Sequence, residues 1–112
     1  MDKLAQIPGL AEKAPRFAEL IFDSAVQHGD GDAGIWLQTA LNRHLGTNLT
    51  VDGIMGSDTR RVVQQALATD KIAQVNNSIV TQRFAYMSTR DNFQKHKDGW
   101  TSRVMSFLMP WR

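Results

Sequence analysis

The feature that most restricts this chain is where proline falls. Pro8, Pro15 and Pro110 are the three prolines, and none lies between Arg16 and Met109. Proline removes a backbone donor and clashes with the preceding turn, so that stretch is open to helix throughout. The apolar residues repeat accordingly. Phe17, Leu20, Ile21 and Ala25 recur at helical spacing, and Gly29 ends the run. After a loop from Gly29 to Asp32, with Asp32 as N-cap, a second helix carries Ala33, Trp36, Leu37, Ala40, Leu41 and Leu45, stopping before Gly46. Ser57 or Asp58 is placed to cap a third, holding Val62, Val63, Ala66 and Leu67. Asp70 is placed to cap a fourth, with Ile72, Val75, Ile79, Tyr86, Met87 and Phe93 toward the core, reaching nearly to Asp98-Gly99. A last helix from Trp100 turns Val104, Met105 and Leu108 inward. Thr47–Val51 is β-prone but too short for a sheet. The expectation is an all-α chain, one helical domain over residues 1–112, built as a bundle of about five helices.

Composition removes whole classes of function. With 42% apolar and 21% charged residues the chain has enough apolar surface for a core. It lacks cysteine, which excludes disulfides, thiolate metal sites and a thiol nucleophile. His28, His44 and His96 are too far apart to read as a metal motif, so no metal and no cofactor is expected. No apolar run approaches membrane-spanning length and no signal-peptide core is visible. The chain is therefore expected to be cytoplasmic as synthesised, without a membrane partner. A net charge of +2 is spread along the sequence. Arg60-Arg61 opposes the macrodipole at a helix start and invites a phosphate-reading role. No basic stripe follows it, so it reads as surface charge and no nucleic-acid partner is expected.

Three local patterns invite chemistry. Asp30-Gly31-Asp32 fails as a calcium loop, because the required Gly would fall on Ile35 and the bidentate Glu on Leu41. Asp23 sits among Phe22, Ala25 and Val26, where an unpaired carboxylate would be expensive to desolvate. Pairing with Arg83 of the fourth helix would satisfy both charges. The string Asp52-Gly53-Ile54-Met55-Gly56-Ser57-Asp58-Thr59 places two glycines and a cluster of capping groups where a loop meets a helix. Its Asp52, Gly53, Gly56 and Thr59 resemble the Asp-Gly-x-x-Gly-x-x-Thr loop of small peptidoglycan-binding modules, which usually have Pro where Ser57 stands.

Further strings sharpen that resemblance. Phe22-Asp23-Ser24-Ala25-Val26-Gln27-His28-Gly29, Leu37-Gln38, Asp52-Gly53, Arg83, and Gly99-Trp100 with Arg103 follow in one order. Together they resemble the C-terminal portion of the glycoside hydrolase family 108 muramidases, over essentially Phe17 to Val104. The resemblance implies the helical C-terminal lobe of a lysozyme-like fold, which binds peptidoglycan and completes the substrate cleft of a cell-wall hydrolase. It also implies that the catalytic Glu helix and its Gly-Gly-x-Thr segment are absent here, so no catalytic residue is assigned and the chain is expected to be inactive alone. Glu12 and Glu19 are the only glutamates, and Glu19 reads as a solvated helix residue. By the same resemblance Gln27, His28 and Gln38 are candidates for lining a glycan groove. Trp36, Trp100, Trp111 and Tyr86 could stack on sugars, although Trp36 and Trp100 lie on apolar helix faces. The implied partners are the glycan strand and either the missing catalytic lobe or a second copy. The implied site of action is the cell wall or periplasm after holin-type or other release. The alternative is a stand-alone helical adaptor for protein or nucleic acid.

Overall fold

The computed structural model describes residues 7–89, 99 and 101–109, and among these every regular element is a helix. A single turn, α1 (Leu10–Lys13), is followed by α2 (Pro15–His28), α3 (Asp30–Leu45), α4 (Ser57–Leu67) and α5 (Ile72–Ser88). Residues 101–105 form a sixth helical segment, α6. Pro15 occupies the first turn of α2, where its missing N–H has no helical acceptor to lose.

The core is built around α3, which packs most extensively against α2 and α5. Phe17, Leu20 and Ile21 of α2 meet Leu37, Ala40 and Leu41 of α3 and Val75, Ile79 and Val80 of α5 in one buried cluster. Trp36 is also buried there. Trp100, Trp111 and Phe93 lie outside the described residues.

Four boundaries differ from the sequence expectation, each for a local reason. The loop from Gly29 to Asp32 contracts to Gly29 alone. With φ at +94° it reverses the chain in one residue, its N–H donating to Ala25 O at 2.9 Å and its carbonyl accepting from Ala33 N at 3.2 Å. Asp32 therefore lies inside the first turn of α3, and no side chain caps that helix. Helix α4 likewise begins at Ser57, with Gly56 as N-cap and no side-chain cap from Ser57 or Asp58. Lys71, not Asp70, is the N-cap of α5, and the Lys71 N–H donates to Thr69 Oγ1 at 3.2 Å.

Helix α5 also stops at Ser88 and does not reach residue 98. The Ser88 and Thr89 hydroxyls donate back to Ala85 O at 2.8 Å and Tyr86 O at 2.7 Å, the latter also accepting from the Thr89 N–H at 3.2 Å, so side chains take part in closing the last turn. In α6 Val104 is fully buried, as expected, whereas Met105 and Leu108 are 37% and 41% exposed. The helical period lapses after residue 105. Asn76 and Asn77 of α5 then take over, donating to Phe107 O at 2.8 Å and Met109 O at 2.9 Å.

Candidate functional site

The segment between α3 and α4 contains no strand. Two amides of α3 hold it. The Asn42 amide donates to Leu49 O at 2.9 Å and accepts from Leu49 N at 2.8 Å and Thr47 Oγ1 at 2.8 Å. One turn earlier, Gln38 does the same for the glycine-containing string. Its Oε1 accepts from the N–H groups of Asp52 at 3.1 Å and Gly53 at 2.8 Å. Its Nε2 lies 3.1 Å from Asp52 Oδ1, 3.0 Å from Ile54 O and 3.2 Å from Thr59 Oγ1. Two N–H bonds thus serve three acceptors, and Gln38 joins the loop to the first turn of α4.

The loop can approach α3 this closely because glycines face each other. Gly53 has φ +76°, and a Cβ there would lie 2.7 Å from Gly31 O. A Cβ at Gly34 would lie 2.5 Å from Gly53 O. Asp52 closes an Asx turn, its Oδ1 accepting from Ile54 N at 2.9 Å. That backbone bond, with the Gln38 amide, holds the Asp52 carboxyl below the usual carboxylate range.

Outside this frame lies an open recess of about 540 Å³ whose lining includes Thr47, Asn48, Thr50, Asp52, Asp58 and Gln65. Hydroxyls, amides and carboxylates line it beside Leu49, Ile54 and Val62, so it offers donors and acceptors next to apolar surface. Gln38, expected as a glycan contact, is 1% exposed, and it forms the floor that shapes the loop. Gln27 is exposed and His28 half-buried at the end of α2, and neither lines the recess. His28 instead accepts from Arg83 Nε at 3.0 Å and meets the edges of Trp36 and Tyr86 with ring centroids 5.2 and 5.6 Å away.

Arg83 is 1% exposed, and each nitrogen of its guanidinium has an acceptor: Nε on His28, Nη1 on Ser24 Oγ at 3.2 Å, and Nη2 on Asp23 Oδ2 at 2.7 Å. Asp23 has a second cation, because Arg103 beyond α5 also forks onto its carboxylate. Burial pushes the Asp23 carboxyl upward, and the hydrogen bonds from Arg103 and Arg83 outweigh it, leaving Asp23 below the usual range. The sequence signal for Arg103 was its place beside Trp100 in the resemblance; Gly34 and Asn42 gave none. Among the described residues, no three His, Asp or Glu side chains converge to hold a metal ion, and no helix is long and apolar enough to cross a membrane.

Among the described residues, then, an all-helical frame carries an amide-braced loop beside an open recess. Compared with known families, residues 32–105 match the family described as a predicted peptidoglycan domain. The match takes in α3, the loop, the recess and the whole of α4 and α5, and the chain belongs to that family. A cell-wall-binding role follows, with peptidoglycan as partner. No curated protein and no solved structure matches the chain.

Proposed function

We propose that the chain holds peptidoglycan in the recess between the loop at 46–56 and the first turns of α4. We further propose that it serves as the wall-binding lobe of a lysozyme-like muramidase of the glycoside hydrolase family 108 type, acting at the cell wall or in the periplasm. The polar recess within the family-matched segment carries the reading. Sugar hydroxyls and N-acetyl groups ask for donors and acceptors, and the recess lies within the ~300–1,000 Å³ range of small-ligand sites. The enzyme context rests on the order of strings from Phe22 to Arg103 that resembles that family. Asp23 supports binding over catalysis: a general acid must keep its proton until it reaches the leaving oxygen, and two arginines hold Asp23 ionised.

The test is co-sedimentation with purified, insoluble peptidoglycan. Wild-type protein is expected to pellet with it. The pair Asn48→Ala and Gln65→Ala, and separately the space-filling Thr50→Trp, should weaken binding about tenfold or more, since hydrogen bonds contribute ~1 kcal/mol each, with melting unchanged. Full binding by both variants would refute the recess as the site.

A further inference from the structure

The recess beside the loop at 46–56 has a charge of its own. Its lining holds three charged side chains, Asp52, Asp58 and Arg61. Asp58 and Arg61 pair at 3.1 Å within the first turns of α4, and their charges cancel. Asp52 is left over, so the recess carries one net negative charge on a chain whose total is +2.

The Asp52 carboxylate is also held in place. Its Oδ1 accepts from Ile54 N at 2.9 Å and lies 3.1 Å from Gln38 Nε2. The Asp52 N–H donates in turn to Gln38 Oε1 at 3.1 Å. Backbone and side chain of Asp52 therefore hang on one glutamine that is 1% exposed. Both braces take Oδ1, and among the described residues no hydrogen bond is made to Oδ2. A carboxylate fixed through one oxygen with the other open loses little freedom when it accepts a donor. Acceptors outnumber donors around it as well, because two Gln38 N–H groups serve Asp52 Oδ1, Ile54 O and Thr59 Oγ1. A ligand group that brings both N–H donors and positive charge answers both features. Leu49, Ile54 and Val62 line the same recess, and Ile54 is 65% exposed. They give an aliphatic arm a surface to lie on while its charged end reaches the carboxylate.

We propose that Asp52 is a specificity-determining residue of the recess, binding the side-chain ammonium of the diamino acid in a peptidoglycan stem peptide. The inference rests on the recess reading above. Cross-linking acylates that amine and removes its charge, so the recess would favour strands whose stem peptides are not cross-linked. A de-N-acetylated amino sugar also offers an ammonium, but on the ring itself, with no aliphatic arm for Ile54 and its neighbours.

The experiment is calorimetric titration of the full chain with three soluble disaccharide–tripeptides ending in lysine. One has the lysine amine free, one has it acetylated, and one has it acetylated with the glucosamine amine free instead. The free-lysine compound is expected to bind about tenfold more tightly than the acetylated one, the scale of one charge-assisted hydrogen bond. Raised salt should narrow that gap in the wild type. Asp52→Asn keeps Oδ1 for the Ile54 N–H and removes the charge, so the ratio between the two compounds should fall to about one. Equal affinity for both in the wild type, with both still bound, would overturn the ammonium site and leave the recess reading intact. A gap that salt leaves untouched, or one retained in folded Asp52→Asn, would overturn it as well. Tighter binding of the free-glucosamine compound than of the free-lysine one would overturn the stem-peptide source. Binding of none of the three would overturn the recess reading and this inference with it.

Discussion

Asp23→Asn and Arg83→Met break the same ion pair, and the structure predicts unequal losses. Asp23→Asn removes the charge facing a guanidinium that is 1% exposed. The amide it introduces has one acceptor oxygen for two guanidiniums, so its nitrogen must face the donors of one of them. An uncompensated buried charge costs about 3–5 kcal/mol. Arg83→Met is milder, because Asp23 keeps its fork to Arg103. That variant removes one hydrogen bond to each of Ser24 Oγ, fully buried, and His28 Nε2, while Ser24 keeps its bond to Leu20 O. Two lost bonds at about 1 kcal/mol each put the loss near 2 kcal/mol. At roughly 4 °C per kcal/mol for a domain of this size, the expected falls are about 12–20 °C for Asp23→Asn and about 8 °C for Arg83→Met. Thermal unfolding followed by circular dichroism reads both. Equal falls, or a larger one for Arg83→Met, would refute the claim that Arg103 is a second partner able to hold Asp23.

Three further outcomes follow from the same geometry. Asp23 titrates below its ordinary value when folded, so its contribution is full above the unfolded aspartate pKa, about 3.9, and is lost as pH falls through the folded value. Unfolding free energy should therefore drop steeply below about pH 4, and Asp23→Asn should flatten that slope; identical acid profiles would contradict the pairing. Gly34→Ala forces a methyl against the Gly53 carbonyl and should cost about 1–3 kcal/mol while weakening peptidoglycan binding; a neutral effect in chemical denaturation would show that the approach is not as close as described. Gln38→Leu removes the amide that braces the loop and should cost about 3 kcal/mol through unsatisfied groups, with helix content kept by far-ultraviolet circular dichroism and wall binding lost; retained binding would separate the loop from the site.

Much of the architecture is legible in the apolar spacing. Phe17, Leu20 and Ile21, then Leu37, Ala40 and Leu41, then Val62, Val63 and Ala66 are buried as their periods require. Helix ends were less legible, because single-residue geometry sets them. One positive φ at Gly29 replaces a four-residue loop, and two hydroxyls at Ser88 and Thr89 help to close a helix that periodicity would extend. The site was legible as a string of residues but not as an arrangement. Asp52-Gly53 and Gln38 stood out separately, and the sequence could not show that the glutamine sits behind the loop, since either role uses the same amide.

The central claim is that peptidoglycan is held at the loop and first turn between α3 and α4. Titration of ¹⁵N-labelled protein with a soluble disaccharide–peptide fragment of peptidoglycan tests it most directly, residue by residue. The account predicts saturable amide shifts concentrated from Thr47 to Thr59, with the side-chain amides of Asn48 and Gln65 among the largest. Shifts centred instead on Gln27 and the end of α2, with Thr47 to Thr59 unmoved, would contradict it.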